Sequence, residues 1–535
     1  MAEISRENFE VLFPTIEYAI RNADFIAVDT EFSGLGYNDD TKCSLFDNGA
    51  DRYSKLRKNV QNFTMLQIGL TTFAGNVDTN RYQAQTFQFY LFPKSIGTHD
   101  HRFSIQASSV QFLRKHKFDF NKCFYDGISY MNNNEEKEMS EELDDSMSDF
   151  IDKPMDGREI QSLCSHIASW ITTSQAGDNI TLPIADEFHD SIYDFHKNVR
   201  TRFPQVWTSV NAFKQLVVTK VTPEERSDFE KSDTTCNKSS KQVLLDEMLG
   251  FTRVFRLLIE SKTPLVGHNL LTDLLFIIEK FHSPLPESYE AFKKILQDLF
   301  PRIFDTKHIH NCLRKTFESQ GIFFARSLEE LYDILTSERV MNMSLLQPAI
   351  HRQGDTDTQD QVHHAGYDSF ICGTVFLRIC HFVHSKKFNS MEIMPFSFNS
   401  YLPSMSAYCN CVNVIRAALT FIKLDGTDPL SLRPPVLFVK SSLHTRLDIS
   451  TLAAMLSSYG TVDIQLLNSA EALVATTNFV TAREIIFAFK HSKAYSVTNY
   501  NFWKHSSVGK GVWWGSVVIA SGSFALILTN LLKKL

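Results

Sequence analysis

The chain has little proline and little glycine, 16 and 21 in 535 residues, which excludes low-complexity and collagen-like architectures. It lacks any repeated C-x2-C spacing. Its nine cysteines are scattered, with Cys409 and Cys411 the closest pair, and this argues against structural zinc. It lacks an apolar run of signal-peptide length before Asp24, so the bulk of the chain is expected in reducing cytosol. It also lacks a broad excess of positive charge. The formal net charge is −7, and residues 132–149 alone carry eight acids and one lysine, so the remainder sums to zero. A surface holding duplex DNA by counterion release is not expected, and any nucleic-acid site must be confined. The acidic block itself reads as a solvated, flexible connector.

What is present is ordinary globular composition, 43% hydrophobic with 44 Phe filling cores, in a chain long enough for several domains. Residues 25–28, 63–70 and 86–92 read as strands. A helical stretch follows the acidic block at 160–171, then a strand at 213–219 and a polar linker at 223–241. Residues 264–267 form a strand running into a helix at 270–281, and 365–382 form a second long apolar helix. From 436 to 499 the order is βαββαβ, the plan of an RNA recognition motif.

Three acidic features carry chemistry. Asp29 and Glu31 are two apart at the end of the first strand, so both carboxylates face one spot and repel unless a cation lies between them. Asp273 sits among leucines on a helix, where an acid must be paired, capped or coordinating a metal. His363 precedes Asp368 by five residues. On an ideal helix these lie roughly 140° apart, so they converge only if His363 belongs to the loop entering the helix. Seen singly, each has a bland alternative: a strand end reaching solvent, an early-turn carboxylate favoured by the helix dipole, an N-cap region with exposed histidines. Together, four hard oxygen donors suit two magnesium ions, or manganese in their place, and His363 suits a general base.

The order of these residues is that of the DEDDh exonucleases, and the likeness is closer still. The segments 23–34, 118–122, 267–269, 284–286, 300–307 and 363–368 resemble the poly(A)-specific ribonuclease (PARN) family, single-strand-specific 3′ to 5′ exoribonucleases that release 5′ mononucleotides. The resemblance implies an α/β fold: a ribonuclease H-like DEDDh nuclease domain split between residues 1–150 and 246–390, with a small α/β domain inserted at 151–245. A degenerate RNA-recognition-motif-like domain would follow at 406–505. It implies Asp29, Glu31, Asp273 and Asp368 as metal ligands, His363 as base, and Phe32, Val110, Phe112 and Lys307 as RNA contacts. Two departures stand out. No Arg-x3-His pattern occurs between 151 and 245, and Leu466 occupies the position of the family's cap-stacking tryptophan, so cap-stimulated deadenylation is not expected.

Residues 512–532 are 21 uncharged residues, about 31 Å as a helix and long enough to cross a bilayer. They are expected to be a transmembrane tail anchor, placing the nuclease on the cytosolic face of the endoplasmic reticulum or mitochondrial outer membrane, with a membrane-bound adaptor protein as a further partner. The overall pattern resembles the membrane-bound PARN-like trimming nucleases of the piRNA pathway. The expected function is trimming of single-stranded RNA precursors with a free 3′-OH. The alternatives are a messenger-RNA deadenylase and a catalytically inactive RNA-binding scaffold.

Overall fold

Alternation along the strand at residues 25–32 sets the architecture. Ile26 and Val28 enter one hydrophobic core, Phe25 and Ala27 the other, so both faces of the sheet they belong to are covered. A computed structural model describes residues 1–95, 100–145, 157–182, 199–210, 215–343, 346–353, 364–386, 395–441, 446–506, 508 and 512.

In chain order the strands are β1 (Ala2–Ile4), β2 (Phe25–Phe32), β3 (Met65–Asn76) and β4 (Arg81–Tyr90), then β5 (Asn179–Leu182), β6 (Val206–Val210) and β7 (Leu216–Lys220). There follow β8 (Leu265–Gly267), β9 (Ile303–Asp305), β10 (Ala349–Arg352), β11 (Cys411–Asn413) and β12 (Phe421–Lys423). The last four are β13 (Leu437–Ser441), β14 (Val462–Asn468), β15 (Glu471–Thr476) and β16 (Tyr495–Asn499). Among the described residues they make three sheets. The largest runs β1-β4-β3-β2-β8-β9-β11-β12, with β10 also on β4. Within its inner five strands, β4-β3-β2-β8-β9, β3 alone is antiparallel to its neighbours, a ribonuclease H-like arrangement.

Helices Phe9–Arg21, Gly49–Asn62, Phe251–Ser261, Leu271–Phe281 and Tyr289–Leu299 cover one face, and Thr306–Ser319, Leu328–Thr336 and Ala365–Ser385 the other. Ala365–Ser385 is buried nearly all round because it lies on β2, β3 and β4 while other helices cover its back. β5-β7-β6 enclose a small separate core with helix Gly157–Thr173. The sheet β14-β15-β13-β16 packs its inner face on helices Ile449–Ser457 and Phe479–Ala488.

Three expectations change. The acidic block at 132–149 is helical over Asn133–Asp145, because Met139 is fully buried against Met131, Leu245, Met248 and Leu249. The stretch read as a polar linker belongs to helix Pro223–Leu249, opened by a capping box in which Thr222 and Glu225 bond reciprocally. The transmembrane helix is withdrawn from the fold class, and the tail-anchored localisation with it: among the described residues no helix is long and apolar enough to cross a membrane. Residues 513–532 of that stretch lie outside the described residues. The reading rested on the length and apolarity of the stretch, on Trp513 and Trp514 at one end, and on the lysines that bracket it.

Candidate active site

β2 outruns its parallel neighbour. β8 pairs only with Ile26 and Ala27, so residues 29–32 extend past it, at the carboxyl ends of β2, β8 and β9 where open α/β sheets bind ligands. On this overhang Asp29 and Glu31 share the face of Phe25 and Ala27, toward helix Ala365–Ser385, while Thr30 and Phe32 face helix Leu271–Phe281.

The first turn of helix Ala365–Ser385 rests directly on β3. Gly69 pairs with Asp29, and a Cβ there would stand 2.0 Å from the Ala365 carbonyl oxygen, so no larger residue fits. Two fully buried glutamines complete the seat. The Gln67 Oε1, opposite Glu31, accepts from the Ala365 N–H at 3.0 Å, and the Gln88 Oε1 accepts from Gly366 N–H at 3.3 Å. The Thr71 and Ser369 hydroxyls are 2.8 Å apart. The two glutamines satisfy helix-terminal N–H groups that would otherwise be orphaned, and with the hydroxyl pair they fix Asp368 beside β2. Carboxylate oxygens of Asp29, Glu31 and Asp368 lie within 4.8 Å of one another, in a group able to hold a metal ion.

Asp273 arrives from the other side of the sheet, in the first turn of helix Leu271–Phe281. Its carboxylate is buried and accepts a short hydrogen bond from the Thr30 hydroxyl. Burial, and then the charges of Asp368, Asp273 and Glu31, push the Asp29 pKa well above the usual carboxylate range. Burial followed by Asp368 and Asp273 does the same to Glu31. Burial pushes Asp273 up to about 7 against the Thr30 hydrogen bond. Carboxylates crowded in this way stay charged together only with a cation among them, and their hard oxygens fit magnesium or manganese.

Beside Glu31 lies a cavity of about 500 Å³, lined by Phe32, Asn38, Thr41, Lys42, Asn59, Gln106, Ser109 and Phe112 among others. Phe32 stacks on Phe276, ring centroids 4.1 Å apart, and Phe112 is 45% exposed, so an accessible aromatic ring stands next to the carboxylates. Val110 shares helix Ala107–Lys115 with Phe112 and is half-buried, outside the cavity lining. Lys307 opens helix Thr306–Ser319; its Nζ donates to the Arg326 carbonyl at 2.7 Å, and burial lowers its pKa. His363 lies outside the described residues. His364 is the N-cap of helix Ala365–Ser385, and burial pushes its pKa down, with Glu3, His116 and Lys122 as its charged neighbours.

Sequence reasoning missed Gln67, Gly69, Thr71 and Gln88. The available signal was polar or small residues at alternate positions of strands otherwise built from Leu, Ile and Phe. It also missed Asp305, fully buried, whose Oδ1 accepts from Asn269, Lys307 and His308 N–H and whose Oδ2 accepts from Leu270 and Asn413 N–H. That carboxylate holds the turn before helix Leu271–Phe281, and so places Asp273.

A family model described as CAF1 family ribonuclease matches residues 4–376. The pre-piRNA 3′-exonuclease trimmer of Bombyx mori is 29% identical, over 99% of this chain and 98% of that protein. The poly(A)-specific ribonuclease PNLDC1 of Mus musculus is 31% identical, over 94% of each. Among solved structures, S. pombe Pop2p in its Mg2+ and Mn2+ bound form aligns with a TM-score of 0.34 at 16% identity, covering 70% of this chain and 90% of that one. With the family match running through β2, helix Leu271–Phe281 and the first turn of helix Ala365–Ser385, which carry the four acids, the chain belongs to the CAF1 family ribonucleases.

Proposed function

We propose that the chain is a 3′ to 5′ exoribonuclease that trims the 3′ ends of single-stranded small-RNA precursors, using two divalent metal ions. The observation that carries the reading is the convergence of Asp29, Glu31 and Asp368 beside an aromatic-lined cavity, with Asp273 at the same strand overhang. The names of the Bombyx mori and Mus musculus relatives support RNA 3′ ends as the substrate. Asp29, Glu31, Asp273 and Asp368 would hold the ions. When bound, the ions would lower the pKa of a water and neutralise charge on the scissile phosphate. The chain itself seats a terminal base against Phe32 and Phe112, and stacking on an aromatic face tolerates any base. His363 is assigned the role of general base.

The test is degradation of a 3′-extended single-stranded RNA, with and without magnesium, compared for A-rich and mixed tails. Magnesium-dependent shortening of both tails from a free 3′-OH is expected. Shortening restricted to the A-rich tail would favour the second reading, a messenger-RNA deadenylase, which the poly(A)-specific name of the Mus musculus relative supports. No magnesium-dependent shortening would overturn both. His363→Ala is expected to lower the rate roughly 10²- to 10⁴-fold with metal binding intact, and a larger loss in His364→Ala would move the base to that residue.

A further inference from the structure

One wall of the cavity is the segment following β2, where Thr41, Lys42 and Cys43 line it, and residues 44–47 follow next along the chain. This segment is closed into a ring of contacts. Asp47 is buried and paired to Arg52, whose guanidinium donates to the carbonyls of Ile415 and Arg416 between β11 and β12. The Arg416 side chain reaches Asp463 of β14 at 2.5 Å, and the Asp463 Oδ2 accepts from the Leu45 N–H at 2.6 Å, which closes the ring. Arg416 holds a φ of +54°, which a non-glycine residue adopts only where surrounding contacts over-determine it.

Asp463 lies on the outer face of the C-terminal sheet. Val462 and Ile464 turn inward to the helices, and Asp463, paired with Ala475, turns outward. That face is the one on which RNA recognition motifs stack bases. Here its central aromatic, Phe438, is only 6% exposed and is covered by the ring of His505, stacked at 4.2 Å and 17°. The face is therefore engaged twice by this chain, at Phe438 by His505 and at Asp463 by the nuclease unit.

We propose that the C-terminal four-stranded unit is a brace for the RNA cavity, with Asp463 as the positioning residue that holds the wall at residues 41–45 through the Leu45 amide. The proposal rests on the reading of the cavity as an RNA site. The wall borders the base-holding cavity and does not carry the metal-holding acids, so loosening it weakens substrate binding and leaves the chemical step in place.

The experiment compares Asp463→Ala, Asp463→Asn and Arg416→Ala in the full chain, on a magnesium-dependent single-stranded RNA trimming assay with hydrogen exchange read at the Leu45 amide. Asp463→Ala should raise KM roughly 5- to 10-fold with kcat within about twofold, and should speed Leu45 exchange. Asp463→Asn, which retains an acceptor for Leu45, and Arg416→Ala, which leaves the acceptor in place, should keep KM near that of the parent chain. An unchanged KM in Asp463→Ala overturns the proposal. So does an equal rise in all three variants, or a loss confined to kcat. Absence of trimming by the parent chain strikes instead at the exonuclease reading, and Leu45 exchange in the three variants still tests the brace on its own.

Discussion

At the scale of residues, the metal reading proposed above predicts a stability that depends on metal. Carboxylate oxygens of Asp29, Glu31 and Asp368 lie within 4.8 Å of one another, so their mutual repulsion is a penalty that a bound divalent ion would remove. Magnesium or manganese at a hundredfold excess over its Kd should stabilise the parent chain by about 2.7 kcal/mol. Asp29→Asn and Glu31→Gln should lose that metal-induced rise in Tm together with nuclease activity, while the metal-free Tm holds or rises. A full metal-induced shift in either variant would remove that residue from the ligand set. His310 offers a second test, away from the acids. It is 1% exposed, stacks on Phe324 at 4.6 Å, and neither ring nitrogen has a hydrogen-bond partner among the described residues. Burial, with Lys307 and Arg314, pushes its pKa down from 6.5 to about 4. Between those values the unfolded chain binds a proton that the folded chain refuses, so this contribution to stability is present above pH 6.5 and is lost as pH falls toward 4. His310→Phe keeps the ring and removes the unsatisfied nitrogens. It should stabilise by about 1 kcal/mol at neutral pH, with the advantage growing by about 2–3 kcal/mol toward pH 4 in denaturant titrations. An advantage independent of pH would refute the titration.

At the scale of elements, the site depends on one helix seated on one strand. Gly69 is the point of contact, and the Ala365 carbonyl leaves no room for a methyl group. Gly69→Ala should therefore shift the start of helix Ala365–Ser385, displace Asp368 from Asp29, and lower kcat by at least a factor of about ten, with a stability loss of about 1–3 kcal/mol from overpacking. Normal kcat in a folded Gly69→Ala chain would show that the helix start does not position Asp368. The pair Asp29 and Glu31 was legible in the sequence because the two-residue period of a strand puts both on one face whatever surrounds them. The seat was not, since Gln67, Gly69 and Thr71 become special only once a helix some 300 positions later lies across them. Helix Asn133–Asp145 was misread for a related reason: its charge suggested solvation, and the single Met139 that anchors it finds its partners near residue 248. Helix Pro223–Leu249 had a local signal that was passed over, Pro at the first turn after Thr222 with Glu225 completing a capping box.

At the scale of the whole molecule, the three sheets found among the described residues have separate cores and divide the work. The large sheet carries the acids, the C-terminal sheet braces the cavity in the proposal above, and the three-stranded sheet touches helix Pro223–Leu249 through β6, that helix packing in turn on Asn133–Asp145. The three-stranded unit buries a core of its own against helix Gly157–Thr173, and we propose that it folds and functions apart from catalysis. Replacing residues 146–229 by a short Gly-Ser linker should leave a cooperatively folding chain whose kcat on a short RNA stays within a few-fold of the parent. Loss of folding, or of all activity, would tie this unit to the nuclease core.

By itself the sequence determined the alternation that puts Asp29 and Glu31 on one face and the placement of Asp273 and Asp368 on apolar helices. These are consequences of backbone periodicity and burial, which act within a few residues. The tertiary structure alone decided that Asp368 comes within reach of Asp29 because a glycine admits the helix backbone, that Asp273 enters from the opposite face of the sheet through Thr30, and that the outer face of the C-terminal sheet closes on residues 45 and 505 of the same chain. Contacts between positions hundreds of residues apart are set by how covered faces fit together, and no local periodicity encodes that fit.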